Sequence, residues 1–160
     1  MKELLCLPAH SLSSHISEDE IIDLAKKIVT KRFTRSNYLT SPDATREFLT
    51  LLLVSKPREH FLVVFLDNQH GVLCYESIFE GTIDGATVYP REVVKSVLNN
   101  NAAAIILAHN HPSGVAEPSQ ADRLITDRIV RALDTIDVRV LDHLIVGGTS
   151  TVSFAERGWI

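Results

Sequence analysis

Leu107-Ala108-His109-Asn110-His111-Pro112-Ser113-Gly114-Val115-Ala116-Glu117-Pro118-Ser119-Gln120-Ala121-Asp122 is the stretch on which the reading of this chain turns. It follows a short apolar run, Ala102 to Ala108, bounded by polar turns, which reads as a central strand buried on both faces. It leads into an amphipathic segment that begins at Ser119 and runs to about Ile136. Pro112, Gly114 and Pro118 force the chain to turn between the two, which brings Ser119 and Asp122 back towards the histidines. A junction from strand end to helix start is where α/β folds tend to place ligands.

Residues 1–15 carry no periodic pattern and read as an unstructured lead-in. Ser17 to Glu20 form a capping box ahead of a helix over about 18–33. A second helix starts with Ser41 as cap and Pro42 at the first helical position, and Lys56-Pro57 breaks it after about Val54. His60 to Leu66 is a β-rich run, and Asp67 to Gly71 supplies a turn. Val72 to Phe79 then alternates, giving a hairpin. A short strand is expected near 86–89. Pro90 opens a third helix with Val93, Val94, Val97 and Leu98 on one face. Val138 to Val146 reads as another buried strand and Ser150 to Phe154 as a last short one. Hairpin strands mixed with packing helices predict an α/β or α+β domain around one mixed sheet.

The chain has 160 residues, 45% apolar and 22% charged, with a formal charge of −4. That is a globular balance, and bulk attraction to nucleic acid is not expected of it. No apolar run spans a bilayer and the N-terminus lacks a signal pattern, so a cytoplasmic protein without a membrane partner is expected. Cys6 and Cys74 form no CxxC and read as free, small packing residues. Lys27, Lys31 and Arg35 share one face of the first helix. That face is read as solvated, or as a patch for nucleic acid or an acidic partner.

Along extended backbone side chains repeat every second residue, so His109 and His111 project to one side, about 7 Å apart along the strand. Both can converge on one ion. Ser119-x-x-Asp122 is an ordinary helix start, yet an aspartate in a first turn is held anionic by the helix dipole and suits a metal. His109, His111 and Asp122 together leave a tetrahedral zinc one open position, the arrangement of a catalytic site. Such a site needs a general base that is not a ligand, and spacing leaves Glu59, Glu76, Glu80 and Glu92 as candidates. Asp142-His143 offers an outer hydrogen bond to a zinc-bound imidazole, or is simply an interior histidine with its partners. His10, His15, His60 and His70 read as surface residues.

The set Glu59, His109-x-His111-Pro112 and Ser119-x-x-Asp122 resembles the JAMM motif of the MPN/JAB metallopeptidases. The flanking text resembles their bacterial RadC-like branch: Pro90-Arg91-Glu92, Asn101 to Ala104, His109 to Gly114, Asp142 to Val146, and the tail Ser153 to Gly158. The likeness covers roughly residues 41–160, with residues 1–40 as lead-in and helix. Longer relatives carry a helix-hairpin-helix region at the N-terminus; about 40 residues precede the match here, so a short form lacking that region is expected. The resemblance implies one MPN/JAB-like domain, a curved mixed sheet flanked by helices with cytidine-deaminase-like layering. It implies one zinc ion held by His109, His111 and Asp122, with Glu59 as acid and base. Ser119 would help to hold the oxyanion during hydrolysis of a peptide or isopeptide bond in an unknown protein or peptide. The alternative is a binding module in DNA metabolism or mobile-element biology whose metal site is not catalytic. A nuclease ranks below both, since phosphoryl chemistry more often uses two metals.

Overall fold

The computed structural model describes residues 17–35, 41–81 and 88–160, with the side chains of 30–35 excepted. The expected lead-in, with Cys6, His10 and His15, lies outside the described residues. Their elements run α1 (Glu18–Arg35), α2 (Pro42–Leu53), β1 (Glu59–Leu66), β2 (Val72–Gly81), α3 (Pro90–Asn99), β3 (Ala104–Asn110), α4 (Gln120–Asp134), β4 (Arg139–Gly147) and β5 (Ser150–Ser153). The five strands form one sheet in the order β2-β1-β3-β4-β5. Pairing is antiparallel except between β3 and β4, which run parallel because α4 carries the chain back between them. The mixed α+β sheet expected from the sequence is therefore the one observed.

Alternation along the central strands divides the core into two layers. Phe61, Val63 and Phe65 of β1 and Ile105 and Leu107 of β3 point to one face, where Val93 and Val97 of α3 and Ile125, Ile129 and Leu133 of α4 cover them. Leu62, Val64, Leu66, Ile106 and Ala108 point to the other, under Phe48, Leu49, Leu52 and Leu53 of α2. Each such apolar side chain removed from water contributes roughly 1.5–3 kcal/mol, so β1 and β3, buried on both faces, are the rigid centre. All seven residues of β3 are buried, His109 and Asn110 included.

Several local expectations change. β3 starts at Ala104 and not Ala102, because Ala103 N–H bonds to the Leu66 carbonyl outside the ladder. Val88 and Tyr89 are in no strand: Tyr89 caps α3 in extended backbone while Val88 is buried against the core. The rest of that expected strand lies outside the described residues. Leu98 is exposed, and Ser96 takes its buried place because its hydroxyl donates to Glu76 on β2. His60 is buried too, where a surface residue was expected; its side chain faces Ser77 Oγ at 3.4 Å and Glu80 at 3.9 Å. His70 is exposed as expected. The Cys74 thiol is free, donates to Asn100 Oδ1 at 3.1 Å, and is pushed up in pKa by burial and by the charge of Glu76.

Candidate metal centre

The site is assembled where β3 ends and α4 begins. In the antiparallel pairing Phe61 stands opposite His109, so His109 lies on the α3/α4 face of the sheet. Glu59 opens β1 two residues before Phe61, and its charge reaches His111, the first residue past β3. His111 N–H still bonds to the Val146 carbonyl, which keeps the chain on course for one residue past the strand. The loop then turns at Gly114, whose φ of 81° suits glycine. It is pressed against Gly147, where a Cβ would stand 2.3 Å from Ala116 N. Ser119 caps α4 in a full capping box: its hydroxyl accepts from Asp122 N–H, and its own N–H donates to Asp122 Oδ2 at 2.7 Å.

This folding brings His109, His111 and Asp122 together. The two Nε2 atoms are 3.0 Å apart, and Asp122 Oδ1 is 3.2 Å from His109 Nε2. Four donors at zinc-ligand distance in a tetrahedron are about 3.3 Å from one another, so the observed separations fit a single small cation. The polar accounting agrees. His111 Nδ1 lies 2.8 Å from the Val115 carbonyl, which can only accept, so in the neutral ring Nε2 keeps its lone pair. Asp122 Oδ1 is buried and accepts no hydrogen bond. A buried carboxylate oxygen without a hydrogen bond is costly. Placed against two imidazole nitrogens, it is satisfied by a positive ion. The donor set suits zinc, since imidazole and carboxylate are both common ligands of it.

The electrostatics follow the same geometry. Burial pushes the Asp122 carboxyl up, but its contacts with His109, His111 and Ser119 outweigh that and hold it far below the usual carboxylate range. His111 is raised above the ordinary 6.5, chiefly by the Asp122 carboxylate against the opposing effect of burial. The Val115 carbonyl and the charges of Asp122 and Glu59 add to the rise. Full burial pushes His143 well below 6.5, and the neighbouring His109 acts in the same direction.

Of the four acids left open by spacing, Glu59 is the one whose charge reaches His111. Glu76 accepts from Ser96 and Asn100, Glu80 faces His60 and Arg58, and Glu92 pairs with Arg91. The Ser119 hydroxyl gives its hydrogen to Asp122 Oδ2 at 2.7 Å, so its contribution in this arrangement is to orient the carboxylate. His143 is an interior histidine with its partners, and one of them is the cluster itself: its Nε2 is 2.8 Å from His109 Nδ1. Lys27 is exposed, whereas Lys26 donates to Ser55. The side chains of Lys31 and Arg35 lie outside the described residues.

Sequence reasoning missed two positions. Thr126, one helical turn past Asp122, faces both the Asp122 carbonyl and His143. Asn110, between the two histidines, points to the opposite face. Its Oδ1 accepts from His60 N–H at 2.9 Å, and its amide donates to the carbonyls of Lys56 and Arg58. It thereby pins the backbone on both sides of Glu59. The i+4 spacing from Asp122 was a usable signal for Thr126; nothing local marked Asn110.

No helix among the described residues is long and apolar enough to cross a membrane. A UPF0758 protein of Vibrio campbellii is 51% identical over 148 residues, 92% of this chain and 66% of that one. Another of Aliivibrio fischeri is 57% identical over 140 residues, 88% of this chain and 62% of its own. A third, of Aeromonas hydrophila, is 52% identical over 154 residues, 95% of this chain and 69% of that protein. The chain thus spans 62–66% of the length of the first two relatives. Residues 39–159 match the RadC-like JAB domain, and with the relatives just described this places the chain in the RadC-like JAB domain family.

Proposed function

We propose that the chain is a zinc-dependent hydrolase that cleaves a peptide or isopeptide bond in a protein or peptide substrate. The observation that carries this reading is the buried Asp122 Oδ1, without a hydrogen bond and 3.2 Å from His109 Nε2, with Glu59 at the start of β1, two residues before the Phe61 that pairs with His109. His109, His111 and Asp122 are the residues that would hold the ion. When bound, zinc supplies Lewis-acid polarisation and makes water acidic enough to react near neutral pH. Glu59 takes a proton from the attacking water as the new C–O bond forms. It returns that proton to the amine as the C–N bond breaks. Ser119 keeps Asp122 oriented, and its hydroxyl can turn from Oδ2 to donate to the substrate oxyanion. Asn110 holds the strand start that presents Glu59. Solvent reaches the cluster from the side of His111, which is half-buried where His109 and Asp122 are fully buried.

The test is cleavage of a mixture of unstructured peptides and isopeptide-linked conjugates by the purified chain, read by mass spectrometry. Cleavage is expected to stop on chelation, to return with zinc, and to be absent in Glu59→Gln. Cleavage that survives either treatment contradicts the assignment.

A further inference from the structure

The hydrogen-bond directions behind His109 are fixed by one hydroxyl. Thr126 Oγ1 lies 2.6 Å from the Asp122 carbonyl oxygen and 2.6 Å from His143 Nδ1. A hydroxyl has one hydrogen to give, and a carbonyl has none. The Thr126 hydrogen therefore goes to the Asp122 carbonyl; the reverse arrangement would press two lone pairs together at 2.6 Å. The contact with His143 is then a hydrogen bond only if Nδ1 of that ring donates. His143 is fully buried, with Phe61 at 5.4 Å and Phe154 at 4.8 Å between ring centroids, surroundings that favour the neutral ring. A neutral ring protonated at Nδ1 has a bare Nε2. That atom stands 2.8 Å from His109 Nδ1, which must donate to it. In its neutral form His109 is then left with a bare Nε2, the nitrogen that faces His111 and Asp122.

We propose that Thr126 is a positioning residue that acts through His143 to set which nitrogen of His109 is open to a metal. The proposal rests on reading the His109, His111 and Asp122 cluster as a metal centre. Thr126 itself touches neither substrate nor ion. Its side chain carries the order of protons from the helix backbone to the buried imidazole, across parallel strands β3 and β4, which set His143 opposite Leu107. Outer partners of metal-binding histidines act in this way: they fix the proton and orient the ring.

The experiment uses the full chain as wild type, Thr126→Val and Thr126→Ser. Histidine ring 15N shifts are recorded on metal-free protein, and zinc affinity is measured by competition with a chromophoric chelator. In the wild type and in Thr126→Ser, both His143 and His109 are expected to carry their protons on Nδ1. Thr126→Val, of the same shape, is expected to lose the single His143 form and to bind zinc about 10- to 100-fold more weakly, with serine restoring most of the affinity. A wild-type His143 protonated on Nε2 overturns the proposal, as does Thr126→Val with unchanged rings and affinity. Should the valine variant fail to fold, the wild-type ring spectrum decides alone. A wild type that binds no zinc sinks the metal reading, whereas the ring spectrum still decides the role of Thr126.

Discussion

Asp122 Oδ1 and His109 Nε2 face each other at 3.2 Å in a buried pocket where the oxygen accepts no hydrogen bond, although the other oxygen of the same carboxylate is fully engaged by Ser119. The capping box thus does two things at once. It satisfies the start of α4, and it leaves one oxygen aimed at the histidines. A helix cap alone would not require burial to 1% exposure.

Replacing Glu59 by Gln removes the proposed base and leaves the three ligands in place. Zinc affinity should change little, while turnover on a cleavable amide falls about 10²- to 10⁴-fold. Isothermal titration beside a peptide assay separates the two; loss of metal in this variant would make Glu59 a ligand.

Ser119→Ala removes both the cap and the hydrogen bonds that orient Asp122. Thermal unfolding of the metal-free protein should show a loss of about 1 kcal/mol. Zinc affinity should fall as well, because the carboxylate is free to swing. A stability loss with unchanged affinity would reduce Ser119 to a cap.

Gly147→Ala tests the loop that carries His111. The added methyl would stand 2.3 Å from Ala116 N and within 3 Å of the Val115 backbone, so the loop has to move. A cost of about 1–3 kcal/mol is expected from overpacking, together with weaker zinc binding, since Val115 supplies the carbonyl that orients His111. Urea unfolding and zinc competition on one preparation check both.

His60 sets a pH dependence away from the cluster. Burial lowers its pKa below the ordinary 6.5, with the Lys56 charge acting alike and Glu80 opposing. Below pH 6.5 the unfolded chain takes up a proton that the fold resists, so stability contributed by the neutral ring is lost as pH falls through 6.5. Unfolding free energy measured from pH 7.5 to 5.5 should drop less in His60→Gln than in the wild type. Parallel curves would remove His60 as the cause.

How much of this was legible depended on how far apart the partners lie in the chain. His109, His111 and the Ser119-x-x-Asp122 cap are set by period-two and helical spacing within fourteen residues, and such local rules can be read directly. Glu59 reaches His111 from the start of another strand some fifty residues away, so spacing left four acids equal until the fold was known. His143 faces His109 only because β4 runs parallel beside β3. Leu98 and His60 went the other way for a shared reason: the side chains that decide them, Glu76 beside Ser96 and Ser77 and Glu80 beside the His60 ring, come from another element, β2.

The proposed hydrolysis requires one cation between His109, His111 and Asp122. Elemental analysis of the purified wild type and of His109→Ala, each after exposure to zinc and extensive dialysis, tests it most directly. About one zinc per chain is expected in the wild type and close to none in the variant. A wild type that retains no metal, or a His109→Ala protein that retains as much, would contradict the account.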